Sequence, residues 1–197
     1  MGDHNLLHYR HSCRPMDARK HEGTVVVDHS DIRWCSDGFE IGCDNCEKVR
    51  VEFALDCRDR EVISWVATTK GIDANLVGNL MMRAVEYLFG SSQTAPHEVE
   101  WLSVNGSCDI SSNTRSFARA LGLQPIRTPV QSLQSKGMAA RVVKTFKRDY
   151  VRLANRHDSA TVMNGLKTWF EHYNQKHPRS ALKYLSPRML RERQSIN

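Results

Sequence analysis

Lys144, Lys147 and Arg148 follow Ala140 at offsets of four, seven and eight, and Arg152 comes one turn later. Side chains at such offsets share one face of a helix, so this stretch can present a positive stripe to a polyanion. A solvated helix face is the alternative, because most charge runs on helices meet only water. Asn105 and Gly106 end an apolar run, where they can bring backbone close to a phosphate or simply make a turn. Cys43 and Cys46 have the spacing of a zinc-ligand pair. No second pair follows, so a hairpin tip at Asp44 and Asn45 with cysteines on its shoulders is the simpler reading. The other cysteines are expected to be reduced thiols. Neither His172 nor His177 has a nucleophile or ligand partner at a useful spacing.

The elements that must position these residues follow from pattern. Residues 1–31 carry Gly, Pro, His and charges without a sustained apolar period, apart from Thr24–Val27, and read as a linker or the remnant of a longer N-terminal region. Arg33–Ile41, Lys48–Asp56 and Arg60–Thr69 are β-rich runs between short polar turns, which predicts an antiparallel meander. Asp73 can cap a helix to about Phe89, with Leu76, Leu80, Ala84 and Leu88 on one stripe and Gly90 as its stop. Glu98–Val104 is a short strand. Ser111 or Ser112 opens a helix through Leu121, closed by Gly122 before a strand at Leu123–Arg127. A loop over Thr128–Ser135 leads to a long helix predicted for Lys136–Asn155. Asp158 or Ser159 starts another, ending near Gln175, and Pro187 opens the last. Met81, Met82, Trp65, Trp101, Trp169 and Tyr173 fall in apolar stretches and are expected to pack the core. Three adjacent strands, then strands alternating with helices, make an α/β chain: a mixed sheet with helices packed on it. A length of 197 residues suits one such domain, expected over 32–193 with a short tail at 194–197.

Several motifs stand in a fixed order along these elements: Arg33-Trp34-Cys35-Ser36-Asp37-Gly38, then Leu55-Asp56-Cys57-Arg58-Asp59-Arg60, then Trp101-Leu102-Ser103-Val104-Asn105-Gly106-Ser107. Ser135-Lys136-Gly137-Met138-Ala139 follows, and last come Tyr173-Asn174, His177-Pro178-Arg179-Ser180-Ala181-Leu182 and Ser186-Pro187. Taken together they resemble the OrfB-type transposases of two-frame insertion sequences, over about residues 24–193. That resemblance implies a ribonuclease-H-like integrase core with a mixed five-stranded sheet flanked by helices. It also implies a polynucleotidyl transferase that uses Mg2+ held by an aspartate on the first strand, an aspartate before Asn-Gly and a glutamate on the later helix. Asp37 matches the first of these. Val104 and Ala140 occupy the other two positions, with 35 residues between them, the family's own spacing. Lys147 stands where the family places a basic residue that helps position DNA ends. Leu133, Lys136 and Arg141 depart from the family's usual proline, asparagine and small or neutral residue.

Two such substitutions bear directly on chemistry. Phosphoryl transfer on DNA uses two divalent ions about 3.5–4 Å apart, each held by hard anionic oxygens. Valine and alanine supply none. Glu100 shares strand parity with Val104 but sits roughly 13 Å away along a strand, and Asp109 could reach the site only by a loop movement. Arg141 would bring repulsive charge to a bound cation. The expectation is therefore a transposase core that binds DNA through Asn105, Lys144, Lys147, Arg148 and Arg152 and holds Mg2+ weakly or not at all through Asp37. Two alternatives are a regulator that binds an intact transposase or a second copy of itself, and an active enzyme using a displaced carboxylate. Lysine plus arginine number 28 against 22 acidic residues, a net charge of +6, which favours a polyanionic partner. Apolar runs such as Val62–Ala67 are far too short to span a membrane, so a cytoplasmic chain without a membrane partner is expected. No helix-turn-helix pattern precedes the first strand, so specific recognition of DNA ends is not expected of this chain alone.

Overall fold

A computed structural model describes residues 27–90, 93–103, 111–127 and 133–195; the predicted N-terminal linker falls almost wholly outside them. Strands β1 (Arg33–Gly42), β2 (Lys48–Asp56) and β3 (Val62–Thr68) form the predicted meander. β4 (Val99–Ser103) and β5 (Leu123–Arg127) extend it to a five-stranded sheet of order β3-β2-β1-β4-β5. The first two pairings are antiparallel, whereas β1–β4 and β4–β5 are parallel. The sheet is thus mixed, as expected. Pro125 lies in β5, an edge strand, where a missing N–H costs no ladder bond on the open side.

Successive residues of β1 point to opposite faces and both faces are covered. Trp34 packs with Ala54, Ile63 and Trp101 beneath α1 (Ala74–Phe89) and α2 (Ser112–Ala120). Cys35, Phe39 and Ile41 join Phe53 and Leu55 beneath α3 (Leu133–Phe146) and α4 (Ser159–Lys176). Burial on both faces explains why these strands read as nearly continuous apolar runs. The caps are those the sequence predicts: Asp73, Ser111 and Asp158 each accept a backbone N–H from the first turn of α1, α2 and α4. The β1–β2 turn is closed by Cys43 N–H to Glu47 O at 2.8 Å, and Asn45 Oδ1 accepts from Glu47 N–H. Cys43 is buried there and Cys46 exposed.

Gly122 closes α2 with φ +78°, and a Cβ there would lie 3.1 Å from the Ala95 carbonyl oxygen and 3.2 Å from its nitrogen. Backbone and contact both require glycine. Gly122→Ala is expected to lose about 1–3 kcal/mol, read as a lower urea midpoint; an unchanged midpoint would show that the Ala95 segment yields freely.

Two expectations need correction. The long helix predicted for Lys136–Asn155 begins earlier, at Leu133, and its α geometry stops at Phe146, giving way to a π turn over Lys147–Val151. The reason is packing. Phe146 sits among Phe39, Tyr150, Phe170 and Tyr173, with ring centroids 4.4–5.9 Å away, and Val151 is also buried. An α-helix would carry a residue five positions on roughly 140° round from Phe146. The π closure, with Arg152 N–H bonded to Lys147 O, brings Val151 back toward the core. Met82 is the second correction: it is 46% exposed, whereas Met81 is buried. Trp101 and Tyr173 are buried as predicted, and Trp65 and Trp169 pack against the core edge. A short helix, α5 (Pro187–Ser195), closes the chain's described part.

Candidate functional site

The β1–β4 ladder ends at Ser36 opposite Ser103, so Asp37 is the first residue of β1 past that pairing. Its partner on the other side is Phe53 of β2. As an odd-numbered residue it shares the α3–α4 face with Cys35 and Phe39. It is buried, and its Oδ1 accepts the Gly38 N–H at 2.9 Å. A Cβ at Gly38 would meet Glu52 Oε2 at 2.8 Å and the Val51 carbonyl oxygen at 3.2 Å, so the glycine lets β2 lie close beside Asp37. Beneath, burial and a hydrogen bond with Cys57 hold the Cys35 thiol far above its ordinary pKa, the hydrogen bond acting most, which makes it a neutral packing group.

Ala140 lies on α3 between buried Ala139 and exposed Arg141, and is itself exposed. It presents a methyl group to solvent. Glu100, on β4, is held in an ion pair by Arg33 at the opposite end of that ladder. Val104, Asn105 and Asp109 lie outside the described residues.

Lys144, Lys147, Arg148 and Arg152 are all exposed. They do not form the single line that a regular helix would draw. Lys144 stands in α geometry, whereas Lys147 and Arg148 belong to the π turn and Arg152 follows it. Arg148 turns to Asp149, binding its two oxygens at 2.5 and 2.7 Å. Arg148 and, less strongly, His177 at 3.0 Å hold the Asp149 carboxyl down at about 2. Arg148 is thus neutralised at short range. Lys147 instead adds its charge to a group on the sheet: Glu40 of β1 is bound by Lys48 at 2.8 Å and Arg50 at 3.2 Å, and those cations with Lys147 hold its carboxyl below the ordinary range. Lys48 and Arg50 were not singled out from sequence; their alternate spacing on β2 opposite Glu40 was the available signal.

The β2–β3 turn carries chemistry of another kind. Asp56 Oδ1 accepts the N–H groups of Arg58 and Asp59 at 2.7 and 3.1 Å, and its Oδ2 accepts that of Asp31 at 2.8 Å. Asp56, Asp59 and Glu61 are all buried and face α5, where Arg191 meets Asp59 and Glu61 at 2.8 Å and Asp31 at 2.9 Å. Arg188 adds a contact to Glu61 at 2.9 Å. Burial, and then the neighbouring Asp56 charge, raise the Asp59 carboxyl to about 7 against the opposing pull of Arg191.

Residues 121–187 match the family described as the integrase core domain. The chain is 48% identical over 194 residues to InsD of insertion element IS2E from Escherichia coli (strain K12), an alignment that covers 98% of this chain and 88% of that one. The chain belongs to the InsD transposase family. It spans 64% of the longer InsD transposase for insertion element IS2A/D/F/H/I/K of Escherichia coli, again at 48% identity. The fold agrees with this membership. A chain of the simian T-cell lymphotropic virus intasome, determined in complex with a PP2A regulatory subunit, superposes with a TM-score of 0.66 at 14% identity, covering 82% of this chain and 54% of that one. The Mos1 transposase catalytic domain, determined with raltegravir and Mg, gives 0.59 at 14% identity, covering 72% and 71%. In this InsD-family chain Asp37 lies on the sheet face that α3, the helix carrying Ala140, packs against. Among its described residues no helix is long and apolar enough to cross a membrane.

Proposed function

We propose that this chain is a transposition protein whose core, residues 32–193, holds DNA without cutting or joining it. The observation that carries the reading is the exposed methyl group of Ala140 on α3, the helix that packs on the sheet face carrying Asp37. Two magnesium ions need several anionic oxygens fixed in geometry, and each absent carboxylate removes both charge and direction. Among the described residues no three His, Cys, Asp or Glu side chains gather to hold a metal ion. Asp37 alone does not fit a metal pair. DNA contact is a separate property. Asn105, two residues after β4 in the sequence, and Lys144, Lys147, Arg148 and Arg152 supply it, with Lys147 reinforced by Lys48 and Arg50 and Arg148 weakened by Asp149.

The test restores the two carboxylates together. Val104→Asp with Ala140→Glu is expected to give divalent-dependent nicking of insertion-end DNA, while each single variant stays at background. Binding by the unaltered chain is expected without magnesium, with log affinity falling by about 0.9 per phosphate neutralised for each unit of log salt. Nicking by the unaltered chain in magnesium would sink the reading, and a double variant that binds DNA yet stays silent would remove these two positions as the cause.

A further inference from the structure

Arg60 parts company with the acidic residues around it. It takes φ +64° at the end of the β2–β3 turn, and burial, then the Arg179 and Arg141 charges, depress its pKa. Tyr173 organises the group: its hydroxyl donates to the Arg60 carbonyl at 3.4 Å, and the Arg179 guanidinium lies over its ring, 4.7 Å from the centroid. Arg179 is 9% exposed. Its backbone is bound three times, donating to Leu185 O at 3.1 Å and accepting from Leu182 and Tyr184 N–H at 2.9 and 2.8 Å. Lys183 and Tyr184 both adopt positive φ, 54° and 62°, to make that wrap, a conformation that costs non-glycine residues roughly 1–2 kcal/mol each.

What this wrap holds in place has no counter-ion among the described residues. The Nε and Nη2 of Arg179 and the Nε of Arg60 are buried without a hydrogen-bond partner, and no carboxylate among the described residues pairs with Arg60, Arg141 or Arg179. Guanidinium groups do not escape by losing a proton. Burial, then Arg179 and Arg141, lower the Arg60 pKa. Three like charges, two of them partly or wholly buried, with donors unused, are stabilised by an anion that accepts from several planar forks at once. A phosphate group has that geometry.

We propose that Arg60, Arg141 and Arg179 form a phosphate-group site, filled by a backbone phosphate of bound DNA. Its location supports that occupant. Arg141 follows Ala140 directly, and Cys57 beside Arg60 is hydrogen-bonded to Cys35, two residues before Asp37. The site is separate from the basic run Lys144, Lys147, Arg148 and Arg152 and does not depend on it.

Inorganic phosphate is the first probe. The full chain is expected to melt several degrees higher in saturating phosphate than in chloride at matched ionic strength. Arg179→Gln is expected to lose that rise, but it also strips packing from Tyr173. Arg141→Gln, on the surface, and Arg60→Asn, which tolerates positive φ, are therefore decisive: both are expected to cut the rise by at least half. No rise in the unaltered chain, or a full rise in both variants, overturns the site. Duplex DNA is the second probe. Arg60→Asn is expected to lower the salt slope of binding by about one. A lost phosphate effect with an unchanged slope keeps the site and assigns it to free phosphate. A chain that binds no DNA at all rejects the proposed function, while the phosphate arm still decides this site.

Discussion

Arg191→Ala is expected to cost about 3–5 kcal/mol of folding stability at pH 8, lowering the melting temperature by about 10 °C. Arg191 lies between Asp31, Asp59 and Glu61 at 2.8–2.9 Å and Asp56 at 3.6 Å. Without it, the three buried carboxylates keep, among the described residues, only Arg188 as a paired cation, and that contact reaches Glu61. The loss should depend on pH. Asp59 has a folded pKa of about 7, above its unfolded value near 4, so the folded chain takes up a proton as pH falls through that window. This group therefore makes the protein more stable toward pH 5 and less stable above pH 7. Removing Arg191 takes away the charge that opposes this shift, so the deficit is largest above pH 7 and shrinks as the cluster protonates. Urea unfolding at pH 5 and pH 8 measures the difference. A deficit equal at both values would mean that Arg191 acts by packing alone.

Asn174→Leu is expected to cost about 2–4 kcal/mol. The Asn174 amide spans both backbone groups of Val62: Oδ1 accepts its N–H and Nδ2 donates to its carbonyl, each at 2.9 Å. Leucine has similar bulk, so the cavity effect is small and the cost comes from two buried backbone groups left unpaired. Asn174→Asp keeps the acceptor and loses the donor, and should fall between the two. The Val62 amide is the local reporter: its hydrogen exchange should accelerate in the leucine variant and stay slow in the aspartate variant. Equal protection in all three would place the anchorage of α4 elsewhere.

The elements of this fold are written in local chemistry and could be read from it. Asp73, Ser111, Asp158, Gly90 and Gly122 mark helix ends by capping and positive φ, properties of a few neighbouring residues. The break in the long helix was not legible in that way. It depends on Phe146 and Val151 both meeting a core built from Phe39, Phe170 and Tyr173, residues distant in sequence. The same limit applies to the site. Asp37, Ala140 and Lys147 are proposed from ordered motifs and spacing, signals that run along the chain. Arg60 and Arg179 lay inside quoted motifs, yet their relation to one another exists only once Tyr173 brings the turn and the C-terminal loop together. Likewise the neutralisation of Arg148 by Asp149 is invisible to a count of cations by face.

The order of the strands also has a consequence in time. The meander joins neighbours along the chain, but β1 meets β4 only when Arg33 reaches Glu100, across the whole of β2, β3 and α1. Loop closure on that scale precedes any contact it gains, so the meander forms first and the parallel seam later. Until then β1 is an open edge of apolar residues, able to pair with another chain as readily as with its own β4. Refolding yield is therefore expected to rise with the rate at which that seam closes, along the β1 edge that runs up to Asp37.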